Sequence, residues 1–426
     1  MTMQPLPLGS PADTSPTRPP RWIVVADSPF LPAHGGGERE HLGFVRAAAR
    51  SGRLALLVVP GAADGDIPAY QDELGDVPVV VTARRTTPLM LLHPTKPYVV
   101  ASRPAPRWLA ARAAALAPDA TGVVVFSYKS RALGEALSRR LDLPAVIRQH
   151  NREGAYHRSL AAGTPGPRGW ALTWEALRIE HDERRLGRAD WITGTADISL
   201  ADAQWRRSTG AHRVVHVPPF ASVPAAQRAA GETAAPGETG APAETGAPGE
   251  AGPPRVLFLG ALDIATNTDA VSWFLDTVWP QVLARHATVV LDVVGRRPSA
   301  AFRDAVAAYP RVRLEADVPD VAPYLARAAV AVNPAVSGSG VNIKLIEYLD
   351  AGIPLVSTSL ATRGLPLAPG DDLEIQDSGS GFADAVLRLL EHPDAARAMA
   401  LRGQAHLREL LDPAANLARI DGLLAR

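Results

Sequence analysis

Residues 333–358 read NPAVSGSGVNIKLIEYLDAGIPLVST, and their reading decides the fold. The apolar run that ends in AVAVNP is a buried strand, AVSGSGVN is a loop of mostly small residues, and IKLIEYLDA is a helix closed by Gly352. IPLVST then opens another strand. A strand that exits through small residues into a helix exposes unsatisfied backbone N–H groups at the positive end of a helix dipole, which is where anions bind. Lys344 and Glu347 stand three positions apart and share a helix face. A lysine there can neutralise a diphosphate, and a carboxylate one turn on can accept hydrogen bonds from ribose hydroxyls. Seen alone, such a pair is an ordinary surface ion pair; the strand exit before it and DAGIPLVST after it favour the cradle. The Walker pattern G-x-x-x-x-G-K-S/T is absent, which disfavours ATP hydrolysis.

Outward from this stretch the same strand–helix rhythm covers the chain. RWIVVAD, LALLVVPG, VPVVVTA, GVVVFSY and PAVIRQH read as strands in the first half, and RVLFLGAL and VVLDVVG join the last two in the second. Between them lie amphipathic stretches such as TDAVSWFLDTVWPQVLARH, where Val271, Phe274, Leu275 and Val278 fall on one face. The halves are separated by residues 223–254, a near-repeat of Gly-Glu-Thr and Gly-Ala-Pro without an aromatic residue, which reads as a flexible linker. The expected organisation is a disordered leader over 1–20, one α/β doubly wound domain over 21–222, the linker over 223–254, and a second such domain over 255–426.

The totals exclude several classes. Lysine plus arginine and aspartate plus glutamate number 44 each, so no global field selects nucleic acid. The absence of cysteine removes disulfides and thiolate chemistry. The first twenty residues lack the apolar core of a signal peptide, and no apolar run spans a bilayer, so a cytoplasmic protein is expected, at most associated with a membrane. Residues 84–112 carry six basic and no acidic residues among scattered apolar ones. This segment is a candidate for peripheral contact with anionic lipid, for acceptor-site lining, or for a solvated loop.

Three further segments follow strands. HGGGERE (34–40) lets the backbone approach a ligand at Gly36 and Gly37, but lacks the dinucleotide spacing G-x-G-x-x-G. IRQHNREGAYHR (147–158) crowds His150, Asn151, Glu153 and Tyr156 at a strand end; His150 can both donate and accept, and no metal-ligand spacing is present. VVGRRPS (293–299) offers Gly295 and the guanidinium of Arg296 to a diphosphate.

Together GGGERE, IRQHNREGAYHRSL, LGALDIATNTDAVSWFLDTVWPQV, NPAVSGSGVNIKLIEYLDAGIPLVSTSLATRGL and FADAVLRLLEHPDAARAMALRGQAHL resemble, in order, the retaining GT-B-fold glycosyltransferases of family 4 (glycosyl transferases group 1). The resemblance implies two Rossmann-like domains facing across a cleft, with the acceptor on the N-terminal side and a UDP- or GDP-sugar donor on the C-terminal side. It implies that a hexose moves to a glycan, lipid-linked or small-molecule acceptor with retention, without a metal or other cofactor. It places Glu347 on the nucleotide ribose, and the glycine-rich loops of both domains against the donor diphosphate and sugar. Electrostatic catalysis then falls to Lys344, the amides around Ser339, Gly340 and Val341, and Arg296. His150 would position donor or acceptor, and Asn151, Glu153 and Tyr156 lie on the acceptor side. Two departures stand out: Ser339 occupies the place of a first family glutamate, and GALDIATNTD lacks the usual arginine and lysine, so Lys344 is the substitute cation. A nucleotide-sugar epimerase of the same shape and a non-catalytic sugar-nucleotide or glycan-binding protein are the alternatives.

Overall fold

The computed structural model describes residues 19–33, 36–87, 90–91, 93, 95–211, 213–220, 252–338 and 340–425. The expected leader to residue 18, nearly all of the expected linker, and His34 and Ser339 lie outside them.

Two parallel sheets form the framework. The first contains β1 (Trp22–Val25), β2 (Leu54–Pro60), β3 (Val79–Thr82), β4 (Gly122–Phe126), β5 (Ala145–Gln149), β6 (Gly194–Asp197) and β7 (Val214–His216) in the order β3-β2-β1-β4-β5-β6-β7. The second contains β8 (Arg255–Leu259), β9 (Val290–Gly295), β10 (Val312–Ala316), β11 (Val330–Asn333), β12 (Leu355–Ser357) and β13 (Glu374–Ile375) in the order β10-β9-β8-β11-β12-β13. All strand pairings are parallel, and helices cover both faces, which is why the central strands read as unbroken Val/Ile/Leu runs. This is the two-domain Rossmann-like architecture of GT-B proteins.

Each sheet reverses its winding once, between β1 and β4 and between β8 and β11. Beyond the carboxyl ends of strands at such a point the connecting loops splay apart and leave a crevice. Both crevices open toward one another.

Two features depart from the sequence reading. The stretch 268–286 is not one helix: it breaks at Val278, between helices Ala265–Thr277 and Trp279–Arg285, because Pro280 has no N–H to continue the ladder. The last helix, Pro413–Leu424, also does not stay with the C-terminal domain to which residues up to 426 were assigned. It crosses back onto β5 and β6 of the first sheet and buries Leu417, Ile420, Leu423 and Leu424 in that sheet's core. Gly122 and Gly194 make room for it: a Cβ at either would lie 2.9 or 2.7 Å from Leu424 or Leu423. Arg53 pairs with Asp421 at 2.8 Å and fixes the crossing.

Candidate functional site

The C-terminal half of the site is built on the β8/β11 crevice. After β11 the chain turns through Gly338 (φ 129°) and Gly340 (φ 75°), backbone conformations that disfavour any side chain. The helix Ile343–Asp350 follows, with Asn342 at its N-cap making no side-chain cap bond, so its first N–H groups remain directed at the crevice. Asn342 instead donates to Asn333 Oδ1 at 3.2 Å, tying the loop to the strand end. A cavity of ~210 Å³ sits here, lined among others by Asn267, Gly340, Val341, Lys344 and Arg363.

Lys344 is the cation of this cavity. Its Nζ donates to Asn267 Oδ1 at 2.7 Å and lies 4.3 Å from the ring centroid of Phe258. Burial lowers its pKa to about 8, against the opposing pull of Glu347. The ammonium is thus held by one neutral amide and an aromatic face, and it has no carboxylate within ion-pair distance among the described residues. Glu347, on the same helix, faces the other domain, where its Oε1 accepts from Arg39 Nη1 at 2.9 Å.

The N-terminal half is built on the β1/β4 crevice and on the end of β5. Helix Gly36–Arg50 carries Arg39, Glu40 and His41 within its first two turns. Glu40 is buried and receives the Arg148 guanidinium at 2.6 Å and His150 Nε2 at 2.5 Å. Burial alone would raise the Glu40 pKa, but Arg148 and His150 hold it well below the usual carboxylate range. His41 lies 4.5 Å from His150, centroid to centroid, and turns Nδ1 to the Gly37 carbonyl at 2.6 Å and Nε2 to Asp27 at 3.3 Å. Burial pushes the pKa of both imidazoles down. For His150 it wins; for His41 the Asp27 and Glu40 carboxylates outweigh it and raise the value. The two imidazoles are therefore shifted in opposite directions by the carboxylates and the burial around them.

Contacts across the cleft are close. A Cβ on Gly340 would lie 2.4 Å from Asn151 Oδ1, and one on Gly36 would lie 2.9 Å from Ile343 Cγ1. The backbone of Leu200 donates to the Gly364 carbonyl at 2.9 Å. His150, Asn151, Gly36, Gly340, Val341, Lys344 and Glu347 are thereby gathered around one crevice.

Other expected site residues fall elsewhere. Glu153 is buried at the start of a helix, 3.4 Å from Lys129, which also holds Asp27 at 2.9 Å; it serves this internal ion network rather than an open acceptor surface. Tyr156 is exposed on the outer side of the same helix. Gly295 is required by packing, since a Cβ there would lie 2.0 Å from the Gly260 carbonyl, and Arg296 is exposed and does not line the ~210 Å³ cavity. Gly37 has open space around its Cβ position, so nothing in the packing demands a glycine. Within 84–112, Arg103 is buried and spent on the carbonyls of Asp27 and Val99.

Sequence reading missed Arg39, Glu40, His41, Asn267 and Arg363. Arg363 donates to the Gly338 carbonyl at 2.7 Å and stiffens the glycine turn. Glu40, His41 and His150 form the one cluster of metal-ligand groups among the described residues, with ligand atoms within 4.8 Å. Arg148 already pairs with Glu40, so this trio is poorly suited to a divalent ion. A larger groove of ~960 Å³ lies away from the cleft; its Arg131 and Arg139 are held by Asp182 and Asp190.

Comparison with known proteins agrees with this geometry. Residues 253–392, about a third of the chain, match the family model described as glycosyl transferases group 1. An uncharacterized 44.6 kDa protein in the cps region of Klebsiella pneumoniae is 23% identical over 165 residues, covering 37% of this chain and 42% of that protein. Among solved structures, a glycosyltransferase from Rickettsia africae superposes with a TM-score of 0.63 at 10% identity, covering 96% of this chain and 99% of the other. Sucrose-phosphate synthase from Thermosynechococcus elongatus gives 0.61 at 17% identity, covering 95% and 98%. Anabaena Alr3699/HepE in complex with UDP-glucose gives 0.58 at 14% identity, covering 95% and 100%. By fold the chain is a GT-B protein, and by sequence its residues 253–392 match the domain of the group 1 glycosyl transferases.

Proposed function

We propose that the chain is a retaining glycosyltransferase that moves a hexose from a UDP- or GDP-sugar to an acceptor hydroxyl. The observation that carries this reading is the apposition, across one cleft, of a half-buried lysine at a glycine-turned helix N-terminus and a histidine seated on a buried carboxylate. The structural relatives include one solved with UDP-glucose, which supports the donor class.

In this reading the donor diphosphate enters the ~210 Å³ cavity and meets Lys344 Nζ and the N–H groups that open helix Ile343–Asp350. Glu347 exchanges Arg39 for the ribose hydroxyls. His150 donates its Nε2 hydrogen to Glu40 and keeps Nδ1 as an acceptor for a sugar hydroxyl. The bond from the anomeric carbon to the diphosphate oxygen breaks while the acceptor oxygen bonds on the same face. The acceptor proton passes to the departing diphosphate oxygen. Lys344 and the helix dipole stabilise the charge that develops there, a role that in other transferases falls to a divalent ion. No helix among the described residues is long and apolar enough to cross a membrane, and the chain is proposed to work in the cytoplasm. The acid-free segment 84–112 supports a peripheral contact with anionic lipid beside the acceptor side.

A thermal-shift screen of nucleotide sugars, followed by turnover of the stabilising donor in Lys344→Ala, tests the proposal. Loss of turnover with the fold intact is expected; near-normal turnover removes the electrostatic argument.

A further inference from the structure

The helical hairpin Glu153–Ala162 and Pro167–Leu186 leaves an apolar surface that neither the fold nor the proposed chemistry uses. On the second helix Trp170 is 77% exposed, Trp174 63% and Leu177 52%, at spacings of four and three residues, so they form one outward stripe. On the first helix Tyr156 and Leu160, four apart, are also exposed. Tryptophan rarely stands this far out of a soluble fold, because its large ring loses burial and leaves only one polar atom to water.

The charge around the stripe is one-sided. From residue 154 through 174 there is no acidic residue, while Arg158 and Arg168 are present. Arg158 is held by Glu180, but Arg168 is exposed in the first turn of its helix, where a positive charge adds unfavourably to the helix dipole. A phosphate headgroup would relieve that arrangement. The acid-free segment 84–112 packs directly beside this helix: Arg178 donates to the carbonyls of Leu91 and His93, at 3.0 and 2.6 Å. Both elements follow carboxyl ends of strands, β5 and β3, so the surface borders the cleft; Asn151, two residues before the hairpin, abuts Gly340.

We propose that this hairpin docks on an anionic bilayer, with Trp170 and Trp174 in the headgroup region and Arg168 on lipid phosphate. The inference rests on the transferase reading only for the cleft's role; the surface itself stands on exposure and charge. A second copy of the chain fits less well, because a two-fold contact through this stripe would set Arg168 near its own counterpart. The bilayer meets the same residues with opposite charge and an apolar interior.

The test is co-flotation of the full chain with phosphatidylcholine vesicles, with and without phosphatidylglycerol at roughly one part in three. The wild type floats with anionic vesicles, and Trp170→Ala/Trp174→Ala reduces partitioning by roughly a hundred-fold. Arg168→Gln reduces it about five-fold on anionic vesicles alone. Both positions are exposed, so circular dichroism and donor binding by the same preparations stay unchanged. That separates failure here from failure of the transferase reading. No flotation of the wild type, or flotation indifferent to the tryptophans, overturns the proposal. So does a loss confined to Arg84→Gln/Arg85→Gln, or a wild-type dimer in sedimentation that the tryptophan variant dissociates.

Discussion

Donor affinity should fall as pH rises through about 8, and the cause is Lys344. Burial against Phe258 and Asn267 lowers its pKa to about 8 in the free protein, so near neutral pH it is mostly the ammonium that a diphosphate needs. One unit above that pKa only about a tenth of the molecules carry the charge. If the charged form alone binds, the apparent Kd at pH 9 is then about six-fold weaker than at pH 8, and a further unit costs about ten-fold more. Bound diphosphate raises the pKa again, so binding at pH 9 takes up nearly one proton. Calorimetry in two buffers of different ionisation enthalpy reads both quantities. Free-protein stability has the opposite sign: between about 8 and 10.5 the unfolded chain holds the proton that the native lysine has lost, so stability rises with pH there. In Lys344→Met the affinity is lower and both Lys344-linked slopes disappear. A wild-type Kd constant from pH 7 to 9.5, or an unchanged slope in Lys344→Met, refutes the assignment of the diphosphate to this lysine.

Other consequences follow from the same contacts. Glu40→Ala strands the buried Arg148 guanidinium and should destabilise by ~3–5 kcal/mol, read by urea unfolding. Gly340→Ala sets a Cβ 2.4 Å from Asn151 in a left-handed conformation; it should weaken donor binding while leaving unfolding by urea within about 2 kcal/mol of wild type. Truncation before residue 413 removes a helix that packs on β5 and β6, and should unfold the N-terminal domain although the deleted residues lie at the other end of the chain. Burial raises the pKa of Glu183, which accepts from the backbone N–H groups of Glu153 and Gly154, to about 7. Its native proton is lost as pH rises, so it contributes falling stability between about 4.5 and 7, and Glu183→Gln should flatten that decline in pH-dependent melting.

The framework was legible because its central strands are apolar runs of Val, Ile and Leu, and all nine expected strands are present. The missed strands are short or polar: Gly194–Asp197, Val214–His216, Val312–Ala316 and Glu374–Ile375 lack a run long enough to stand out. The crossing of the last helix was invisible for a different reason. Leu417, Ile420, Leu423 and Leu424 show an apolar stripe but do not say which sheet it will meet. At the site, Lys344 and Glu347 were readable from a local pattern, whereas their partners Asn267 and Arg39 lie 77 and 308 residues away. Glu40 and His41 were assigned no role from the sequence and are buried. The available signal was HGGGEREH itself, in which polar residues follow a glycine-rich strand exit.

The most direct test of retaining transfer in this cleft needs no acceptor. The wild-type chain is incubated with the α-linked nucleotide sugar that stabilises it most, and the slowly released sugar is followed by proton NMR before mutarotation. The α-anomer is expected to appear first, and Lys344→Ala is expected to abolish its release. Initial release of the β-anomer, or equal release by the variant, contradicts retaining transfer in this cleft.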